Sequence, residues 1–98
     1  MKIIAITKPG RKHTPEKMEL HFKQELRQFW ELYLKGIIRE FYYRADQPGV
    51  VLILECKDVA EAKMHIDQLI FVKEELIEVI AYFPLAPFKV LEKLFEES

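Results

Sequence analysis

Ile3, Ile4, Ala5 and Ile6 open the chain as a short apolar run ending at Lys8-Pro9-Gly10, which predicts a strand over Ile3–Thr7 that leaves its sheet at a turn. Past it the period changes. Met18, Phe22, Leu26, Phe29, Trp30 and Tyr33 recur at helical spacing behind Thr14-Pro15-Glu16, which supplies an N-cap, a proline at the first helical position and an early acidic residue. Gly36, after Lys35, is the expected C-cap. Two strand-like runs, Ile37–Arg44 and Val50–Cys56, flank Ala45-Asp46-Gln47-Pro48-Gly49, a turn-rich link of hairpin length. Asp58-Val59-Ala60-Glu61 is a capping box in its D-x-x-E form, and Val59, Ala62, Ile66, Leu69 and Ile70 mark one face of a second helix ending near Ile70. Leu76–Phe83 reads as a further strand closed by Pro84. Beyond Pro87, Phe88–Phe95 has apolar residues at 88, 91, 94 and 95, a face for a short helix or an arm that needs cover.

The order is therefore βαββαβ plus a tail: an α+β, ferredoxin-like split-βαβ fold, with a four-stranded antiparallel sheet and two helices on one face. Residues 1–98 form one domain, with 84–98 as its C-terminal arm or short helix. The strands are apolar on both faces, so the second face should also be buried, and 98 residues encode no third layer. A second copy packed sheet to sheet is the simplest cover, which predicts a homodimer, with a higher homo-oligomer open through the tail.

Composition narrows the classes of function. Fifteen basic and sixteen acidic residues give a net charge of −1, with both signs spread along the chain, so the basic footprint of a nucleic-acid binder is missing. The N-terminal apolar run is too short for a signal-peptide core or a membrane span, which makes a cytoplasmic protein without membrane association the expectation. The single cysteine, Cys56, continues a strand-like run and reads as a reduced, buried thiol. Three scattered histidines without H-x-x-x-H or C-x-x-C spacing predict no metal site, and nothing supports haem or another cofactor. No glycine-rich phosphate loop can be drawn, nor a serine triad, because Ser98 is the only serine.

The stretch W-E-L-Y-L-K-G-I-I-R-E-F-Y-Y-R-A-D-Q-P-G-V-V-L-I-L-E from Trp30, D-V-A-E-A-K from Asp58, and L-I-E-V-I-A-Y-F-P-L-A-P-F from Leu76 to Phe88 resemble small proteins related to muconolactone isomerase, within the dimeric α+β barrel group. The resemblance implies a ferredoxin-like protomer, a face-to-face sheet dimer and, in the isomerase itself, a cofactor-free proton shift in a small lactone carboxylate. The same fold carries cofactor-free oxygenases, haem-dependent enzymes and members without established activity, and the matching stretch is mainly framework. Where relatives tend to have Leu-Pro-Leu after the second helix, this chain has Leu69-Ile70-Phe71.

A cofactor-free proton shift needs a base, a donor for the developing enolate and a cation for a carboxylate. A hairpin register with Arg44 opposite Val50 pairs Tyr42 with Leu52, Glu40 with Leu54 and Arg39 with Glu55. Glu40, Tyr42 and Arg44 then form a row on one face: base, phenol donor and anion anchor. Arg39 lies on the other face, in an ion pair with Glu55 or as a second anchor. The competing reading makes these charges the protection of an edge strand. His21 is the substitute base, oriented by Glu25 one turn on, or else a solvent-facing helix residue. His65 after Glu61 carries the same choice; the basic loop around His13, just before the helix N-terminus, favours an anionic ligand or is a solvated loop, and Glu78 in the last strand points into a cavity or at a partner chain. Phe29, Trp30 and Tyr33 read as core rather than as cofactor stackers. The function expected is binding of a small anionic or carbonyl compound, with proton-transfer isomerisation as its first candidate chemistry. The alternatives are a non-catalytic ligand-binding or assembly module, or a cofactor-free oxygenase.

Overall fold

Thr14 is extended and its side-chain oxygen accepts the Lys17 N–H, so the first helix, α1, starts at the following proline and runs Pro15–Leu34. It ends where Gly36 takes φ +74: the Gly36 N–H reaches Tyr33 O at 3.0 Å and the Ile37 N–H reaches Leu32 O at 2.9 Å, the paired bonds of a Schellman cap. The computed structural model describes residues 1–96. Before α1 lies β1 (Lys2–Pro9), and after it come β2 (Ile38–Tyr43), β3 (Val50–Glu55), α2 (Val59–Asp67), the short α3 (Ile70–Lys73), β4 (Ile77–Pro84) and a 3-10 helix, Lys89–Phe95. Asp58 Oδ1 accepts the Glu61 N–H at 2.9 Å, the N-cap bond expected ahead of α2, and Glu61 Oε2 reaches back to accept the Lys57 N–H, one residue before the cap.

The four strands lie in the order β2-β3-β1-β4 and each neighbouring pair is antiparallel, which is the ferredoxin-like arrangement. Residues two apart share a face, and β1 fixes the faces for its neighbours. Ile3, Ala5 and Thr7 lie beside Leu54, Leu52 and Val79 and are fully buried under the helices. Ile38, Ala62, Ile66 and Leu69 complete that core. Ile4, Ile6, Val51 and Ile53 alternate onto the other face, joined by Ala81 and Phe83. No helix among the described residues covers that face, and its members keep partial exposure, Phe83 the most at 49%.

The hairpin departs from its expected register by one residue. Tyr43 pairs with Val50, Tyr42 with Val51, Phe41 with Leu52 and Glu40 with Ile53; Ile38 then pairs with Leu54, which leaves Arg39 in a bulge. The bulge lets Ile38 and Phe41, three residues apart, both reach the helix side. Its cause is burial: Ile38 is fully enclosed opposite Leu54, and a regular ladder would have turned either it or Phe41 outward. Arg39 therefore does not meet Glu55, whose carboxylate accepts from the Met1 amino group at 3.1 Å.

The second helix stops at Asp67, three residues before the expected end, and a separate short helix, α3, follows it. The tail forms the 3-10 helix, with Phe88, Leu91, Leu94 and Phe95 exposed; positions 97 and 98 of the expected arm lie outside the described residues. No helix among the described residues is long and apolar enough to cross a membrane.

Two substitutions check the caps. Gly36→Ala forces a Cβ into the left-handed region and is expected to cost about 1 kcal/mol, and Asp58→Ala about 1 kcal/mol through the lost N-cap. Urea denaturation should show both as lower midpoints with unchanged slope.

Candidate functional site

α1 presents two stripes. Met18, His21, Glu25, Gln28, Phe29 and Leu32 lie inward, half-buried or better, whereas Phe22, Leu26, Trp30 and Tyr33 stay 45–59% exposed along the flank above β2. The expectation that Trp30 and Tyr33 belong to the core is corrected by topology: β2 is the edge strand, so the sheet ends beneath that flank. The aromatic rings instead build a wall. Phe29 and Phe41 lie 6.1 Å apart, Tyr33 meets Phe41 edge-on at 6.2 Å, and Trp30 stacks on Tyr33 at 5.7 Å.

Three hollows run along this wall. The outer one, about 570 Å³, lies between Phe29, Trp30 and Tyr33 of α1 and Arg39, Glu40, Phe41 and Tyr42 of β2. A middle one of about 350 Å³ extends to Tyr43 and Val50. The inner one, about 120 Å³, reaches Thr7, Glu25, Leu52, Phe71 and Ile77 under the helix. Leu26 and Phe29 line all three, so the hollows adjoin one another along α1, from the sheet edge toward the interior.

Of the candidate residues, Glu40, Tyr42 and Arg39 come together at the outer hollow. The Tyr42 O–H donates to Glu40 Oε1 at 2.6 Å, and that bond, reinforced by the carboxylate charge, raises the phenol above its ordinary pKa. Arg44 is separated from this pair. Its Nε and a terminal nitrogen hold Asp46 at 3.0 and 2.7 Å within the hairpin turn, an arrangement that keeps the Asp46 carboxyl below its ordinary range. The one-residue register change sets Glu40 and Tyr42 opposite Ile53 and Val51, on the helix-free side at the sheet edge, while Arg44, beyond the last ladder pair, is drawn onto the turn by Asp46.

His21 is half-buried on α1 and lines none of the three hollows. Glu25 does not orient it, since its Oε1 accepts the Phe71 N–H at 3.1 Å. The basic loop is engaged as well, with Arg11 and Lys12 reaching Glu75 at 2.9 and 3.1 Å. Glu78 faces Lys8 at 3.7 Å and His65 lies 3.8 Å from Glu61. No group of three or more His, Cys, Asp or Glu among the described residues is placed to hold a metal ion.

Glu25 is the buried carboxylate residue among the described residues, only 4% exposed. Together with Gln28 it caps α3, whose own preceding residue, Leu69, offers no side-chain acceptor. Gln28 uses both ends: Oε1 accepts the Ile70 N–H at 2.8 Å and Nε2 donates to Gln68 O at 3.0 Å. Glu25 uses one, and its Oε2 is buried without a hydrogen-bond partner. Desolvation pushes its pKa from 4.5 up to about 7, against the opposing pull of the Phe71 N–H. The sequence held a signal for this residue: position 25 is one turn before Phe29 and two turns after Met18, which places it on the inward stripe.

Because the folded state holds the Glu25 proton more tightly than the unfolded chain, the associated stability is fully present below pH 4.5 and is lost as pH rises to about 7. Relative to Glu25→Gln, the wild type should lose on the order of 3 kcal/mol across that window. Urea titrations of both proteins at the two ends of the window measure the difference.

Comparison with known proteins bears on the fold. No family model matches the chain, and no curated protein does. Among solved structures, 5-chloro-2-hydroxyhydroquinone dehydrochlorinase from Burkholderia phenoliruptrix, in complex with 2,5-dihydroxybenzoquinone, superimposes with a TM-score of 0.69 at 17% identity, over 92% of this chain and 98% of that one. This chain and that enzyme share the ferredoxin-like α+β fold.

Proposed function

We propose that this chain is a cofactor-independent, homodimeric protein that binds a small planar organic compound bearing a carbonyl or carboxylate in the cleft between α1 and β2, with proton-transfer isomerisation as its chemistry. The observation that carries the reading is the Glu40–Tyr42 pair at 2.6 Å on the rim of an aromatic-walled hollow. Flat rings suit the faces of Trp30, Tyr33 and Phe41, Arg39 adds a guanidinium, and Glu40 and Tyr42, on the helix-free side of the edge strand where the hollow opens, add a carboxylate base and a phenol donor. Arg39 takes the anion-anchoring role that Arg44, held by Asp46, leaves open. That the neighbouring dehydrochlorinase holds a dihydroxybenzoquinone on the same fold supports a planar, oxygenated ligand here by analogy.

The dimer reading rests on the helix-free face of the sheet. Ile4, Ile6, Val51 and Ile53 form an apolar strip there, and a second copy placed face to face would remove it from water. Glu40 and Tyr42 share that face at its edge, so the cleft would open beside the seam between protomers.

Two experiments test these readings. Emission of Trp30, the single tryptophan, should be quenched by members of a panel of lactone carboxylates, aromatic acids and hydroxyquinones. Arg39→Ala should weaken the carboxylates about tenfold, or ~1.4 kcal/mol, and Tyr42→Phe should slow any turnover ~100-fold or more while changing binding little. Emission unchanged by every compound would remove the cleft as a ligand site. In sedimentation, the protein should travel at twice its 11.7 kDa chain mass and Ile53→Asp at the single mass.

A further inference from the structure

Gln28 and Glu25 sit one turn apart and perform the same task for the first two amides of α3. Gln28 satisfies both of its polar atoms, and a glutamine at position 25 would cap Phe71 equally well. The chain instead has a carboxylate there, buried to 4% exposure, with Oε2 unpartnered. Burying a carboxyl oxygen without a partner is costly and capping does not require it. Oε2 belongs to the side chain that lines the inner end of the cleft.

The cavity has a second polar group. Thr7 Oγ1 accepts the Val50 N–H at 3.0 Å, and among the described residues no acceptor takes its own proton. Leu52, Phe71 and Ile77 make the surroundings apolar. The volume of about 120 Å³ is close to the ~150 Å³ that admits a benzene-sized guest, and the cavity adjoins the middle hollow at Leu26 and Phe29.

We infer that this inner compartment takes the hydroxyl- or carbonyl-bearing end of the ligand, and that Glu25 exchanges a proton with that oxygen through Oε2 while Thr7 donates to it. The inference rests on the reading of the cleft as a ligand site and adds its deep end. As a carboxylate, Glu25 takes the proton of an enolic or phenolic hydroxyl; as the acid, it returns one to the enolate or carbonyl oxygen. No electron acceptor or metal enters the balance. Its titration near neutrality, set by burial, makes both forms available. From the elements packed against it, β1, β3, α3 and β4 present Thr7, Leu52, Phe71 and Ile77, none titratable, and β2 presents Tyr43, the one other titratable side chain on the wall among the described residues.

The test uses phenol, with toluene as the isostere that has no proton to give. The carboxyl ¹³C resonance of Glu25 is followed through a pH titration of the wild-type protein. Saturating phenol should lower the midpoint by about half a unit or more, because its O–H stabilises the carboxylate, and toluene should not lower it. Glu25→Gln, which retains the Phe71 cap, should bind phenol more weakly at pH 8 by about fivefold or more and lose the pH dependence. A midpoint that stays in place under saturating phenol, or equal phenol affinity in Glu25→Gln, overturns the assignment. If the hydroxyquinones and acids still quench Trp30 in that case, the outer cleft stands and only its deep end is refuted; if nothing quenches, the cleft reading itself fails.

Discussion

Ile3, Ala5 and Thr7 reach the helices together because β1 is hydrogen-bonded along both edges, to β3 and to β4, and in a strand held on both sides the face of each residue is a matter of parity. Leu52 and Leu54 inherit the inward face from their partners on β1, and Ile38 inherits it from Leu54. The same parity sends Ile4, Ile6, Val51 and Ile53 to the side that the helices leave bare. Position in the sheet then decides chemistry. β2 lies at the edge, where the helix layer overhangs the last strand, so the aromatic flank of α1 closes over a hollow rather than over another strand.

Much of this was legible in local sequence. Thr14-Pro15, Asp58 with Glu61, and Gly36 each act within one turn of chain, and each does in the structure what its residue type predicts. The order of elements, and with it the α+β fold, follows from those signals. What escaped was decided at long range. The hairpin register depended on whether Ile38 would be enclosed by Leu54, a contact across the sheet, and the bulge at Arg39 is the adjustment that allows it. α3 has no cap in its own neighbourhood, because its amides are answered from α1, more than forty residues earlier in the chain.

The candidate site divides along the same line. Glu40 and Tyr42, two apart on one strand, meet as period-two alternation requires. Arg44, next in that arithmetic, drops out, since the ladder ends at Tyr43 and its guanidinium is held by Asp46 within the turn. The i, i+4 spacing of His21 and Glu25 suggests a helical pair, but the burial of Glu25 follows from the stripe it shares with Met18 and Phe29, a weaker signal than the aromatic positions beside it.

Capping from a distance has an evolutionary consequence. At position 25 a single side chain serves the fold through one oxygen and leaves the other available. Exchange of that oxygen for an amide nitrogen preserves the bond to Phe71, so the cap itself does not distinguish Glu from Gln, and what the carboxylate costs is stability as pH rises toward neutrality. Lineages of this fold can therefore gain or lose an acid–base group at this depth by one conservative substitution, with no remodelling of the backbone. Divergence in chemistry would then run ahead of divergence in shape, and chains that superimpose closely need not share a reaction.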